Sequence, residues 1–187
     1  MDYLEQTVKR ADVGIAYIYC DYNNVEQTTI NLLASLLQQL ALQNPTITED
    51  LATLYDSHKA KRTRLSLEEY STYLRASISS FSNVLIIIDG LDECPQHERH
   101  GIRSTFLREI RALQPKAQLL VTSRDIPAIA LELEDAVRLN IHASEEAIVN
   151  YLEARISSSA NLKRHVRKYS ALRNTIIETI TRKAEGM

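Results

Sequence analysis

Glycine, cysteine, proline and long apolar runs are all scarce in this chain. None of its four glycines, Gly14, Gly90, Gly101 and Gly186, is followed by lysine. That excludes the G-x-x-x-x-G-K-[ST] loop, whose backbone N–H groups and lysine cradle nucleotide phosphates. The two cysteines, Cys20 and Cys94, lie far apart without a CxxC spacing, so reduced thiols are expected in place of a disulfide framework. No apolar run is long enough to span a bilayer, and the polar, acid-containing start MDYLEQTVKR is no secretory signal. A cytoplasmic location and no membrane partner are expected. Neither sign of charge dominates, the net charge being -2, so the balance implies no nucleic-acid partner. Repeats and low-complexity tracts are absent.

What is there reads as one ordinary folded chain. At 187 residues, 44% hydrophobic and 25% charged, it is long enough to bury a core without metal or disulfide staples. Four runs read as strands: Gly14 to Cys20, Val84 to Asp89, Gln118 to Thr122 and, more weakly, Ala136 to Ile141. Helical spacing fills the gaps. Ile30, Leu33, Leu37 and Leu40 share a face over about Val25 to Leu42, and Leu67, Tyr70, Leu74, Ile78 and Phe81 share one over Ser66 to Phe81. Ser66 with Glu69 fits a capping box. Ile102, Phe106, Ile110 and Leu113 mark a third helix, ended by Pro115. Ile148, Tyr151, Leu152 and Ile156, then Leu172, Ile176, Ile177 and Ile180, follow as a helical tail. Strands alternating with helices predict an α/β fold, a parallel sheet with helices on both faces and a short helical C-terminal tail. The expected division is a core over 1–143 and a tail over 144–187.

Chemistry is expected at the carboxyl ends of the strands, where open α/β sheets bind ligands. VLIIIDGLDE delivers Asp89 to such an end, lets the chain turn at Gly90, and adds Asp92 and Glu93. One carboxylate there can hold magnesium while another orients water on a phosphate. The third strand closes in Thr122, Ser123 and Arg124, two hydroxyls and a cation where a phosphate or a partner acid would lie. Standing alone, an apolar run ending in Asp can equally mark a residue that caps the next turn. DGLDE followed by an apolar run ending in TSR is the more specific pattern.

LIIIDGLDEC and LLVTSRD resemble the Walker B and sensor 1 strands of NACHT-type signal-transduction NTPases of the STAND class. The closest resemblance is to fungal proteins whose domain is described as similar to the amino-terminal region of nephrocystin. DVGIAYIYCDY resembles the strand that precedes Walker B there, and YLEARI a helix after the last strand. The resemblance implies a P-loop NTPase type of sheet and a switch driven by Mg2+ and ATP or GTP. It makes Asp89 the metal aspartate, Asp92 or Glu93 the catalytic, water-activating acid, and Thr122, Ser123 and Arg124 the cofactor-binding sensor group. It also implies that the phosphate loop and first strand are missing, that MDYLEQTVKRAD is the end of a helix begun earlier, and that RKAEGM stops where relatives continue. The expectation is a fragment of a receptor-like domain, without turnover by itself, that self-associates through open strand edges. The alternative is a non-catalytic interaction module that associates with full-length relatives. A haloacid-dehalogenase-like site is disfavoured, because the position two after Asp89 is Leu91.

Three further features have plain readings. Cys94, His97 and His100 form C-x-x-H-x-x-H, better read as a polar loop than a metal site because no second ligand pair follows. HKAKRTR (58–64) and KRHVRK (163–168) read as solvated helix faces. Tyr17, Tyr19 and Tyr22 read as strand residues packed under helices.

Overall fold

The computed structural model describes residues 12–95, 101–169 and 171–184. It forms two compact units, Met1–Glu134 and Asp135–Met187.

The first unit holds a three-stranded sheet in the order β1-β2-β3, with β1 at Val13–Tyr19, β2 at Asn83–Asp89 and β3 at Ala117–Val121. Both pairings are parallel, with Ala16 opposite Ile86 and Ile86 opposite Leu119. The three runs are rich in β-branched and other apolar residues, and each sits within a residue of its predicted span. Between β1 and β2 come α1 (Thr29–Gln43), α2 (Pro45–Lys61) and α3 (Leu67–Ser79). Between β2 and β3 come a 3-10 turn, Leu91–Glu93, and α4 (Ile102–Arg111), and α5 (Pro127–Glu132) follows β3.

Local chemistry fixes the helix ends. Thr28 caps α1, accepting from Asn31 N–H at 3.2 Å, so the helix begins later than Val25. Asp21 and Asn24 take the preceding residues into turns by accepting from Asn23 and Glu26 N–H. Asn44 accepts from Thr46 N–H with Pro45 in the first turn of α2, a helix that the apolar periodicity did not reveal because only Ile47 of it is buried. The Ser66–Glu69 capping box forms as expected.

The core lies on one face of the sheet. Ala16, Ile18, Val84, Ile86, Ile88 and Ala117 pack there against α1, α3, α4 and Ile129 of α5. The other face carries Ile15, Tyr17, Tyr19, Leu85, Ile87 and Leu120, of which Ile15 and Ile87 are buried and Tyr19 and Leu120 about half exposed. The expected helices on both faces are therefore not seen among the described residues. Topology supplies the reason. With strands in sequential order, crossovers of one hand step in one direction and lay their helices on the same side. Tyr17 and Tyr19 meet edge to face at 5.6 Å on the opposite face; Tyr19 and Tyr22 are exposed and Tyr17 is half-buried, so Tyr19 and Tyr22 do not pack as the sequence led one to expect.

The two outer edges of the sheet differ. On β1, alternate residues point their backbone groups away from β2, and side-chain amides meet them. Gln43 accepts from Ile15 N–H at 2.9 Å and donates to Ile15 C=O at 2.6 Å. Gln39 does the same for Tyr17 at 2.9 and 2.8 Å. Gln27 donates to Tyr19 C=O and accepts from Asp21 N–H. On β3 no strand pairs outside, among the described residues. The expected fourth strand, Ala136 to Ile141, is not formed. Val137, Leu139 and Ile141 are exposed, and a run without a ladder partner leaves its backbone to water instead of closing a sheet.

The second unit is helical, with α6 (Glu145–Ser158), α7 (Ala160–Lys168) and α8 (Leu172–Ala184). Ser144 and Ser159 cap α6 and α7, and Arg173 pairs with Glu153. The basic cluster at 163–168 lies on the exposed α7, and HKAKRTR runs from the end of α2 into the loop that follows. Among the described residues, no helix is long and apolar enough to cross a membrane.

Candidate functional site

Parallel pairing of β2 with β3 sets their carboxyl ends side by side. Thr122 N–H donates to Ile88 C=O at 2.9 Å and Leu91 N–H to Thr122 C=O at 2.9 Å, carrying the ladder past the end of the sheet. Gly90 turns the chain with φ 69°, a left-handed conformation that glycine takes without penalty. The Thr122 hydroxyl then donates to Asp89 Oδ1 at 2.5 Å and accepts from Gly90 N–H at 2.9 Å. Asp89 is exposed, and its second oxygen faces no partner among the described residues.

A second clasp lies beside the first. Asp92 Oδ1 accepts from Arg124 N–H at 3.0 Å and Oδ2 from Arg124 Nε at 2.5 Å. Its carboxylate is 4% exposed, whereas the Arg124 side chain is 77% exposed. Burial by itself raises the Asp92 carboxyl, and hydrogen bonds from Arg124 outweigh it and hold it below the usual carboxylate range. The hydrogen bond and charge of Asp92 push Arg124 upward in turn. Glu93 is half-buried; its N–H donates to Gly90 C=O at 2.8 Å, and its carboxylate takes no part in either clasp. Ser123 turns to the backbone of the next residue, donating to Arg124 C=O at 2.7 Å.

Of the six residues singled out from the sequence, four thus form two adjoining clasps, Thr122 on Asp89 and Arg124 on Asp92, and Ser123 and Glu93 stand outside them. The floor was not foreseen. Leu91 is fully buried beneath the turn, and Cys20 and Cys94, both free, are buried next to it. A hydrogen bond to Cys94, burial, and the charges of Cys94, Asp89 and Asp92 push the Cys20 thiol well above its ordinary range, so that Cys20 acts as apolar packing, while its hydrogen bond to Cys94 holds the Cys94 thiol below the usual value. His97 and His100 lie outside the described residues. Among those described, no group of three or more His, Cys, Asp or Glu side chains could hold a metal.

Compared with protein families, residues 1–124 match the model described as Nephrocystin 3, N-terminal. The chain belongs to this family. The match to the nephrocystin 3 N-terminal domain takes in all three strands and both clasps, ends at Arg124, and leaves the helical tail outside it. Comparison with curated proteins and with solved structures gave no match.

The site can be tested for its fit to a magnesium ion. Magnesium is commonly held by one or two carboxylates together with phosphates and water. A single exposed carboxylate, oriented through one oxygen and open at the other, suits an ion carried in mainly by phosphate. It does not suit an ion that the protein must cage alone.

Proposed function

We propose that this nephrocystin 3 N-terminal chain carries the acid and sensor side of a nucleotide switch site of the P-loop NTPase, NACHT or STAND kind, with magnesium ATP or GTP as ligand. The observation that supports this reading most is the pair of clasps joining the DGLDE turn to the TSR strand end. Two acids and a cation that are remote in sequence share one exposed strand end.

The roles follow from what each group has free. Asp89 offers Oδ2 toward magnesium while Thr122 fixes its carboxylate plane. Bound there, the metal would neutralise phosphate charge. Asp92 is committed to Arg124, so Glu93 is the acid left to orient a water molecule. Arg124, exposed and tethered through a side-chain pair, is the cation that can turn toward a phosphate. Phosphoryl transfer depends on positioning and electrostatics, and the sequence holds no glycine-lysine phosphate loop. Weak binding without turnover is therefore expected of this chain by itself.

The test is titration of fluorescent ATP and GTP analogues, with magnesium, into the chain and its Asp89→Ala variant. Saturable binding in the high micromolar range, lost in the variant, is the expected result. Absence of binding at that concentration, or binding that the variant retains, would remove the reading. The non-catalytic alternative has separate support in the outer edge of β3, which pairs with no strand among the described residues.

A further inference from the structure

The chain holds two cysteines far apart in sequence, and the fold brings them together. Tyr19 stands opposite Asp89 where β1 runs beside β2, and one residue on, Cys20 N–H donates to Asp89 C=O at 2.9 Å. Beyond Asp89 the chain turns at Gly90 and winds through the 3-10 turn Leu91–Glu93. Cys94 N–H then donates to Leu91 C=O at 3.2 Å, which carries Cys94 back beneath the turn, toward the end of β1. Both thiols are free and buried in one cluster with Leu91, Cys94 being only 2% exposed. There the Cys20 thiol meets the Cys94 sulfur in a hydrogen bond. With no third cysteine in the sequence, each is the other's one partner within the chain.

We propose that Cys20 and Cys94 are a redox pair, resting as thiols and oxidised by a peroxide to a disulfide that ties the DGLDE turn to the end of β1. Cys94 is the attacking sulfur. The hydrogen bond from Cys20, with the charge of buried Arg103 behind it, holds its thiol below the usual value against the effect of burial. Its sulfur takes one oxygen from the peroxide and becomes a sulfenic acid, and the second oxygen leaves as water. The Cys20 sulfur then attacks the sulfenic sulfur, and the displaced hydroxide departs with the Cys20 proton as a second water. Two thiols and one hydrogen peroxide thus give one disulfide and two waters. The sulfurs must close to about 2 Å, and the side that yields is the single 3-10 turn, whose hydrogen bonds are the weaker ones. Burial of both sulfurs selects a small oxidant. The bond closes the long loop that runs from β1 through α1, α2, α3 and β2, which restricts the unfolded chain and raises the melting temperature. None of these steps needs a nucleotide.

The test is the intact mass of the folded chain before and after a few equivalents of hydrogen peroxide, with remaining thiols alkylated in denaturant. Loss of the two thiol hydrogens without alkylation is expected, at the mass of one chain, with a tryptic species joining the Cys20 peptide to the Cys94 peptide. Dithiothreitol should reverse all of this. The oxidised chain should melt a few degrees above the reduced one, a rise that Cys20→Ala should not show. Two alkylated thiols after peroxide, oxygen added to the sulfurs without a bond between them, or a disulfide joining two chains overturns the proposal. So does a disulfide that forms only in urea, which would mean that the folded turn holds the sulfurs apart, or one that lowers the melting temperature.

Discussion

A hydroxyl has one proton to give, and Thr122 gives its proton to Asp89. It is therefore committed to orienting the Asp89 carboxylate, a distinction that sequence cannot draw. The residue types at both strand ends were legible, because an apolar run must stop where it meets carboxylates or cations. Who clasps whom was not, because DGLDE and TSR meet only through the parallel register. Asp92 gives the clearest consequence. Its pKa is lowered in the folded state, so the stability it contributes is present above the unfolded carboxylate value of about 3.9 and lost as pH falls through the folded value. Asp92→Asn should lower Tm by a few degrees at pH 7. The gap should close as both proteins are acidified below the ordinary carboxylate range, a comparison that thermal melts at two pH values can make. An equal gap at low pH would mean that packing, not charge, ties Arg124 down.

Elements were read well where they bury a stripe and poorly where they do not. α1, α3 and α4 each set an apolar face on the sheet, and their spacing announced them. α2 buries little and showed only the Asn-Pro entry at residues 44 and 45. The Ala136 to Ile141 run alternates like a strand, yet alternation states a preference that only a neighbouring strand can satisfy. β1 comes close to its neighbours at Gly14. A Cβ there would stand 2.9 Å from Leu40 Cδ2 and 3.2 Å from the Phe81 ring. Leu40 is fully buried and Phe81 nearly so, which leaves neither much room to retreat. Gly14→Ala should cost about 1–3 kcal/mol through overpacking, visible as a lower urea midpoint with an unchanged slope. A neutral result would show that α1 can move outward at this point.

On the scale of the whole molecule, the two units are joined by exposed chain, every residue from 134 to 147 being exposed. Brief trypsin treatment should cut first after Arg138, releasing a piece that keeps both clasps. Earlier cleavage within the sheet unit would show that the sheet is the less stable part. Inside that unit the glutamines do more than close an edge. Gln39 and Gln43 are one helical step of four apart, about 6 Å along α1, and they serve Tyr17 and Ile15, two apart and about 6.6 Å along β1. The two spacings are commensurate over a single step, with the helix running against the strand. A slide of one strand residue would present backbone groups already bonded to β2. The helical layer is thereby keyed to the sheet like a vernier to its scale, and shear between the two is stopped by a pair of amide side chains.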